Sequence, residues 1–113
     1  MKFPIDKDAF DVFIEESRIF ELTRENLRQN LEYWYYKEDP EQFVENLWAD
    51  FETVMRTYHF KNRMVSFNKN YNFEPPMDTI SCEITIYDAE ESYCMTYKAV
   101  FDYEFNVLDD ILS

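Results

Sequence analysis

A chain of 113 residues has the length of one domain, which buries roughly 60 to 70% of the surface its unfolded form exposes and needs no metal or disulfide to hold a core. Apolar residues at 46% and aromatics at 19% place it among folded proteins despite a net charge of -13. The 24 acids against 11 bases argue against unaided binding to nucleic acid or anionic membrane, whose phosphates recruit Lys and Arg, and point to a basic partner.

In chain order, Met1 to Asp6 holds no apolar stretch of signal-peptide length, and no run anywhere approaches the ~20 apolar residues of a membrane span. A cytoplasmic protein is expected. Phe10, Phe13, Ile14 and Phe20 predict a helix from Asp6 to about Leu22, with Pro4 just before it. Thr23 is a candidate cap for a second segment, Arg24 to Lys37, which carries Leu27, Leu31, Trp34 and Tyr35 on one face. The seven-residue phase of Phe13, Phe20, Leu27 and Trp34 serves one helix from 8 to 37 nearly as well, so both alternatives stand.

Asp39-Pro40-Glu41-Gln42 has the order of a capping box with a first-turn proline, and it predicts a helix from Pro40 to about Tyr58. Phe43, Leu47, Phe51, Val54 and Tyr58 form its apolar stripe, with Glu41, Glu45 and Glu52 on a different side. After Tyr58 the period changes to alternation. Phe60 to Phe67 reads as a strand, Asn68 to Asn72 as a turn and Pro75-Pro76 as a break. Ile80, Cys82, Ile84 and Ile86 alternate with polar residues in a half-buried strand from Thr79 to Tyr87. Asp88 to Ser92 forms a hairpin loop, Tyr93 to Phe105 returns as a strand, and Asn106 to Ser113 is a short helix or a last strand. In this phase Cys82 points inward and Cys94 outward, so the two do not bridge.

Glycine is absent altogether, so Asn, Asp, Pro and Ser must make the turns, and glycine-rich phosphate cradles are excluded. His59 is the only histidine and has no nearby Ser or Cys, so it reads as a junction residue and not as a catalytic base. One His and two separated Cys make no zinc pattern, and the pairs Glu90-Glu91 and Asp109-Asp110 read as solvated charge. No cofactor, metal or catalytic residue is expected. Of the aromatic run Tyr33 to Tyr36, Trp34 and Tyr35 belong to the core, while Tyr33 and Tyr36 are left for a protein contact. Arg56, Lys61, Arg63 and Lys69 form a basic stretch between two acidic zones and are expected to pair with acids of the helices.

Size, charge and the lack of catalytic residues make the chain similar in general character to the small acidic inhibitors that phages and mobile elements direct at restriction or CRISPR nucleases, and to immunity proteins that neutralise basic toxins. That resemblance is compositional and carries no residue over. The chain is therefore expected to be one α+β domain, 1–113. Two or three helices in 1–58 would pack on one face of a three- to four-stranded antiparallel meander in 59–113. The expected function is non-enzymatic: binding to a basic nuclease, CRISPR effector or toxin through Asp8, Asp11, Glu15, Tyr33, Tyr36, Glu38, Glu41, Glu45, Trp48 and Glu52. The competing expectation is a small-molecule or peptide-binding module with a pocket lined by Tyr93, Tyr97, Phe101 and Tyr103 and by Glu83 or Asp102.

Overall fold

The computed structural model describes residues 5–113. Asp6 opens the first helix, α1 (Lys7–Ser17), its carboxylate accepting the amides of Asp8 at 2.9 Å and Ala9 at 3.1 Å. Pro4, expected at this start, lies outside the described residues. α1 ends at Arg18, whose φ of 55° is left-handed, and α2 (Ile19–Tyr33) begins at once. Both expectations for this stretch are corrected. The long helix is interrupted at Arg18, and Thr23 caps nothing: it lies buried inside α2 with its hydroxyl donating to the Ile19 carbonyl at 2.7 Å. Burial sets the break, because Ile19, Thr23, Leu27 and Leu31 recur every fourth residue as the row that α2 buries, whereas α1 buries no residue fully.

α2 runs into a π-helical turn (Trp34–Glu38), closed by the Asp39 amide donating to the Trp34 carbonyl at 2.8 Å. Trp34 and Tyr35 both stand edge-on to the Phe43 ring, with centroids 5.2 and 5.1 Å away. Asp39 caps the next helix as expected, accepting from the Gln42 amide at 3.0 Å. The single helix expected from Pro40 to Tyr58 is two, α3 (Pro40–Leu47) and α4 (Phe51–Thr57). Trp48 takes a left-handed φ of 61°, and Asp50 caps α4 by accepting from the Thr53 amide at 2.8 Å. A capping carboxylate thus outcompetes helix continuation inside an unbroken apolar stripe, and Phe43, Leu47 and Val54 still reach the core.

Strands β1 (His59–Asn70), β2 (Met77–Tyr87), β3 (Tyr93–Phe101) and β4 (Val107–Leu112) pair antiparallel in sequence order, so the fold is α+β with its helices first. The turn expected at Asn68 to Asn72 falls at 71–76, β3 stops short of Phe105, and the tail is a strand. Ile80, Cys82, Ile84 and Ile86 of β2 and Tyr97, Ala99 and Phe101 of β3 face the helices, none more than 2% exposed. Thr79, Ser81 and Thr85, on the side expected to be solvated, are buried too, because β2 has a strand on each flank. Cys94, expected to point outward, is half-buried against the core: an irregularity between Ile86 and Tyr87 shifts the alternation there.

Both β-hairpins after β2 close on one device. The Asp88 carboxylate accepts from the amides of Glu90 and Ser92, both at 2.9 Å, and Asp102 accepts from Glu104 at 2.9 Å and Asn106 at 3.0 Å. The fourth residue of each turn, Glu91 or Phe105, holds a left-handed φ of 64° or 62°, the place that three-residue hairpin loops usually give to glycine. A side chain there costs about 1 kcal/mol. Glu91→Gly is therefore expected to raise the thermal midpoint by about 4 °C, and Asp102→Ala to lower it by about as much. A Glu91→Gly midpoint at or below the parent's would show that the left-handed turn carries no strain.

Burial pushes the Cys82 thiol up to about 11 and raises Cys94 as well, but Cys94 is the more accessible of the two. Iodoacetamide at mildly alkaline pH is expected to modify Cys94 in the native protein and Cys82 only after denaturation. Equal native rates would contradict the packing of β2.

Candidate functional site

The seven acids singled out in the sequence, Asp8, Asp11, Glu15, Glu38, Glu41, Glu45 and Glu52, are all exposed, and none takes part in an ion pair or a cap among the described residues. They do not form one surface. Asp8, Asp11 and Glu15 share a side of α1 by helical spacing. Glu41 and Glu45 flank Val44 on the outer side of α3, next to Tyr35. Glu38 was expected to continue their row, but the π-helical turn carries it to the other side, in line with Gln42 and Asn46.

Tyr36 lies edge-on to Phe51 at the start of α4, with centroids 5.6 Å apart. Desolvation by its neighbours and then the charge of nearby Glu52 push its phenol up. Trp48, in its left-handed position between α3 and α4, is 66% exposed, and Tyr33 is 56% exposed. The aromatics left over from core packing are thus at the surface.

The concave feature of this face is a cleft of about 410 Å³ between the helices and the last two strands. Asn30, Tyr33, Trp34 and Glu38 line it from α2 and the π-helical turn, and Gln42 and Asn46 from α3. Met95 and Tyr97 of β3 and Asp110 and Leu112 of β4 complete it. Its floor is a polar network. Tyr97, whose ring is buried, donates its hydroxyl to Asp110 Oδ2 at 2.8 Å, and Asn30 Nδ2 reaches the same oxygen at 2.7 Å and the Tyr97 hydroxyl at 3.1 Å. Burial, followed by the Asp110 carboxylate beside it, pushes the Tyr97 phenol well above its ordinary range. Asp110 Oδ1 has no protein donor among the described residues, and no Lys or Arg is among the described residues that line the cleft.

The pocket expected from Tyr93, Tyr97, Phe101 and Tyr103 does not form. Phe101 is buried in the core, while Tyr93 and Tyr103 are 56% and 59% exposed. Glu83 faces the other side of the sheet in an ion pair with Arg63 at 3.5 Å, and Asp102 is occupied by its turn. The basic stretch also pairs differently than expected. Lys61 meets Glu91 at 3.4 Å and Lys69 meets Asp78 at 2.7 Å, so these two and Arg63 go to acids of the sheet and its hairpins, not of the helices, while Arg56 makes no ion pair among the described residues. Register explains this, since Lys69 lies directly across from Asp78 in the β1–β2 ladder.

No group of three or more His, Cys, Asp or Glu is placed to hold a metal among the described residues, and His59 sits exposed at the start of β1. Sequence reasoning missed the cleft, and Asp109-Asp110 read only as solvated charge. One signal pointed to it: Tyr97 falls on the inward side of β3, and a buried phenol needs a polar partner. Tyr97→Phe is expected to cost about 1 kcal/mol in urea unfolding, with most of that loss disappearing in an Asp110→Asn background. Additive losses would mean that the two side chains do not act as a unit.

No protein-family model, curated protein or solved structure matches the chain.

Proposed function

We propose that the protein acts by binding a basic surface of another protein and blocking it, as a small acidic inhibitor of a nucleic-acid-handling enzyme or a toxin. The observation that carries this reading is the division of labour among its carboxylates. Asp6, Asp39, Asp50, Asp88 and Asp102 are spent on caps and turns, and Glu21, Glu25, Glu32, Asp78, Glu83 and Glu91 on ion pairs. The helical acids Asp8, Asp11, Glu15, Glu41, Glu45 and Glu52 have neither use and stand exposed, Glu52 of them beside the exposed Tyr36. Free negative charge beside exposed aromatics suits a basic partner: the charge steers encounter and the aromatics supply anchoring area.

A second reading, a peptide- or small-molecule-binding module, draws support from the cleft beside β4, whose volume lies within the roughly 300 to 1,000 Å³ of small-ligand sites. The two are separated by a pull-down from the source cell at low and high salt, with bound proteins identified by mass spectrometry. The inhibitor reading expects a basic nuclease, CRISPR effector or toxin that salt releases and whose activity falls when the protein is added. The triple variant Asp8→Asn, Asp11→Asn, Glu15→Gln should then slow association several-fold at low salt and less at high salt. Retention of a metabolite or a neutral peptide, with nothing basic, would refute it.

A further inference from the structure

We propose that β4 is a docking edge for an extended basic segment of a partner protein, which adds to the sheet as a fifth strand and places an arginine or lysine side chain in the cleft between Glu38 and Asp110. This rests on the acidic-inhibitor reading above and names the part of the partner that the protein holds.

The sheet order β1-β2-β3-β4 leaves one side of β4 without a neighbouring strand among the described residues. The Asp110 amide shows which groups face that side. It is bonded not to β3 but to the Asp109 carboxylate, at 2.9 Å, a bond that a partner carbonyl would replace. Edge strands usually carry little exposed apolar surface, because an unpaired edge invites another chain. β4 does the opposite: Val107, Leu108 and Ile111 are 45%, 43% and 52% exposed.

Charge selects the occupant. A second copy pairing antiparallel about the middle of β4 would set Asp110 opposite its own counterpart, or Asp109 opposite its own, and like charges directly across a ladder are destabilising. The opposite sheet edge of a second copy fits no better. β1 has an irregularity between Asn62 and Met64, and Lys61, Arg63 and Lys69 are already paired within their own chain. A segment whose cations fall on the cleft side meets Asp110 and no such conflict.

The cleft supplies the register. Asp110 and Leu112 lie across from Ala99 and Tyr97, both inward-facing, so the cleft opens beside the free edge of the same strand. A strand added there projects every second side chain toward the cleft. Asp110 Oδ1 and the Glu38 carboxylate, neither with a protein donor among the described residues, face an arriving guanidinium or ammonium. Tyr33 and Trp34 add ring surface over which a cation is favoured. The intervening side chains fall on the other sheet face, where Ile111 pairs across from Lys98 and Asp109 across from Val100, so apolar residues fit beside Ile111. The expected pattern in the partner is alternating basic and apolar.

The test is fluorescence anisotropy of the full chain with a labelled peptide alternating arginine and valine. Saturable binding is expected, weakened about tenfold or more by Glu38→Gln, by Asp110→Asn, by citrulline in place of arginine, and by methylating alternate backbone amides of the peptide. Glu38 is exposed and outside the core, so its variant stays informative even if Asp110→Asn unfolds the protein. Glu74→Gln with Glu104→Gln, exposed acids that do not line the cleft, should leave binding unchanged. No binding, equal binding of the methylated peptide, or an equal loss from the Glu74 and Glu104 variants would overturn the proposal, as would a dimer formed through β4 in solution. A basic partner recovered from cells and held equally by the Glu38 and Asp110 variants would overturn this docking edge and leave the inhibitor reading standing. Peptide binding with no basic cellular partner would support the edge and count against inhibition.

Discussion

A chain without glycine has to reverse direction through residues that carry a Cβ, and that constraint decides where much of the aspartate goes. Asp6, Asp39 and Asp50 cap helices, and Asp88 and Asp102 hold the two hairpins that follow β2. Arg18, Trp48, Glu91 and Phe105 take the left-handed conformations that glycine would take at less cost. The hydrogen bonds from Thr53 hold Asp50 below the usual carboxylate range, and those from Asn106 do the same for Asp102. A group whose folded pKa is lowered contributes stability above its unfolded pKa and loses it as acid protonates the folded form. The α4 cap and the β3–β4 turn therefore lose stability as acid protonates these two groups.

The same constraint shapes the surface. The αL break at Trp48 leaves a tryptophan exposed between two short helices, and the break at Arg18 separates α1 from the row that α2 buries. Ile19, Thr23, Leu27 and Leu31 lie against the inward residues of β2 and β3, and replacing one such leucine by alanine costs about 2 to 5 kcal/mol. At the margin of that core stands Tyr97, whose ring is packed inside and whose hydroxyl must be satisfied. Asp110 and Asn30 meet that need and in doing so form the polar floor of the cleft. Core packing and the candidate site thus share a residue.

Net charge alone does not identify a binding surface, because carboxylates that cap helices or pair with lysine are not available to a partner. Once those are set aside, most of the acids that remain lie on α1, on α3 and α4, and around the cleft, with Glu74, Glu90 and Glu104 in the turns between strands. The arginines and lysines of β1 answer acids on β2 and its hairpin.

The alternation of Ile80, Cys82, Ile84 and Ile86, the row of Leu27 and Leu31 and the Asp39-Pro40 start are local signals, and the sequence by itself determined those elements, the α+β order and the exposure of Tyr33 and Tyr36. It placed the helix breaks wrongly. The apolar phase runs through Arg18 and Trp48 without interruption, and the choice between continuing a helix and capping it at Asp50 depends on what each side chain can bury. Residues far apart in the chain were beyond it for a plainer reason. Asn30, Glu38, Tyr97 and Asp110 meet only because β4 pairs with β3 in one register and the π-helical turn rotates Glu38 away from Glu41. Register and rotation are fixed by the packing of the whole core, and only the tertiary structure decided them.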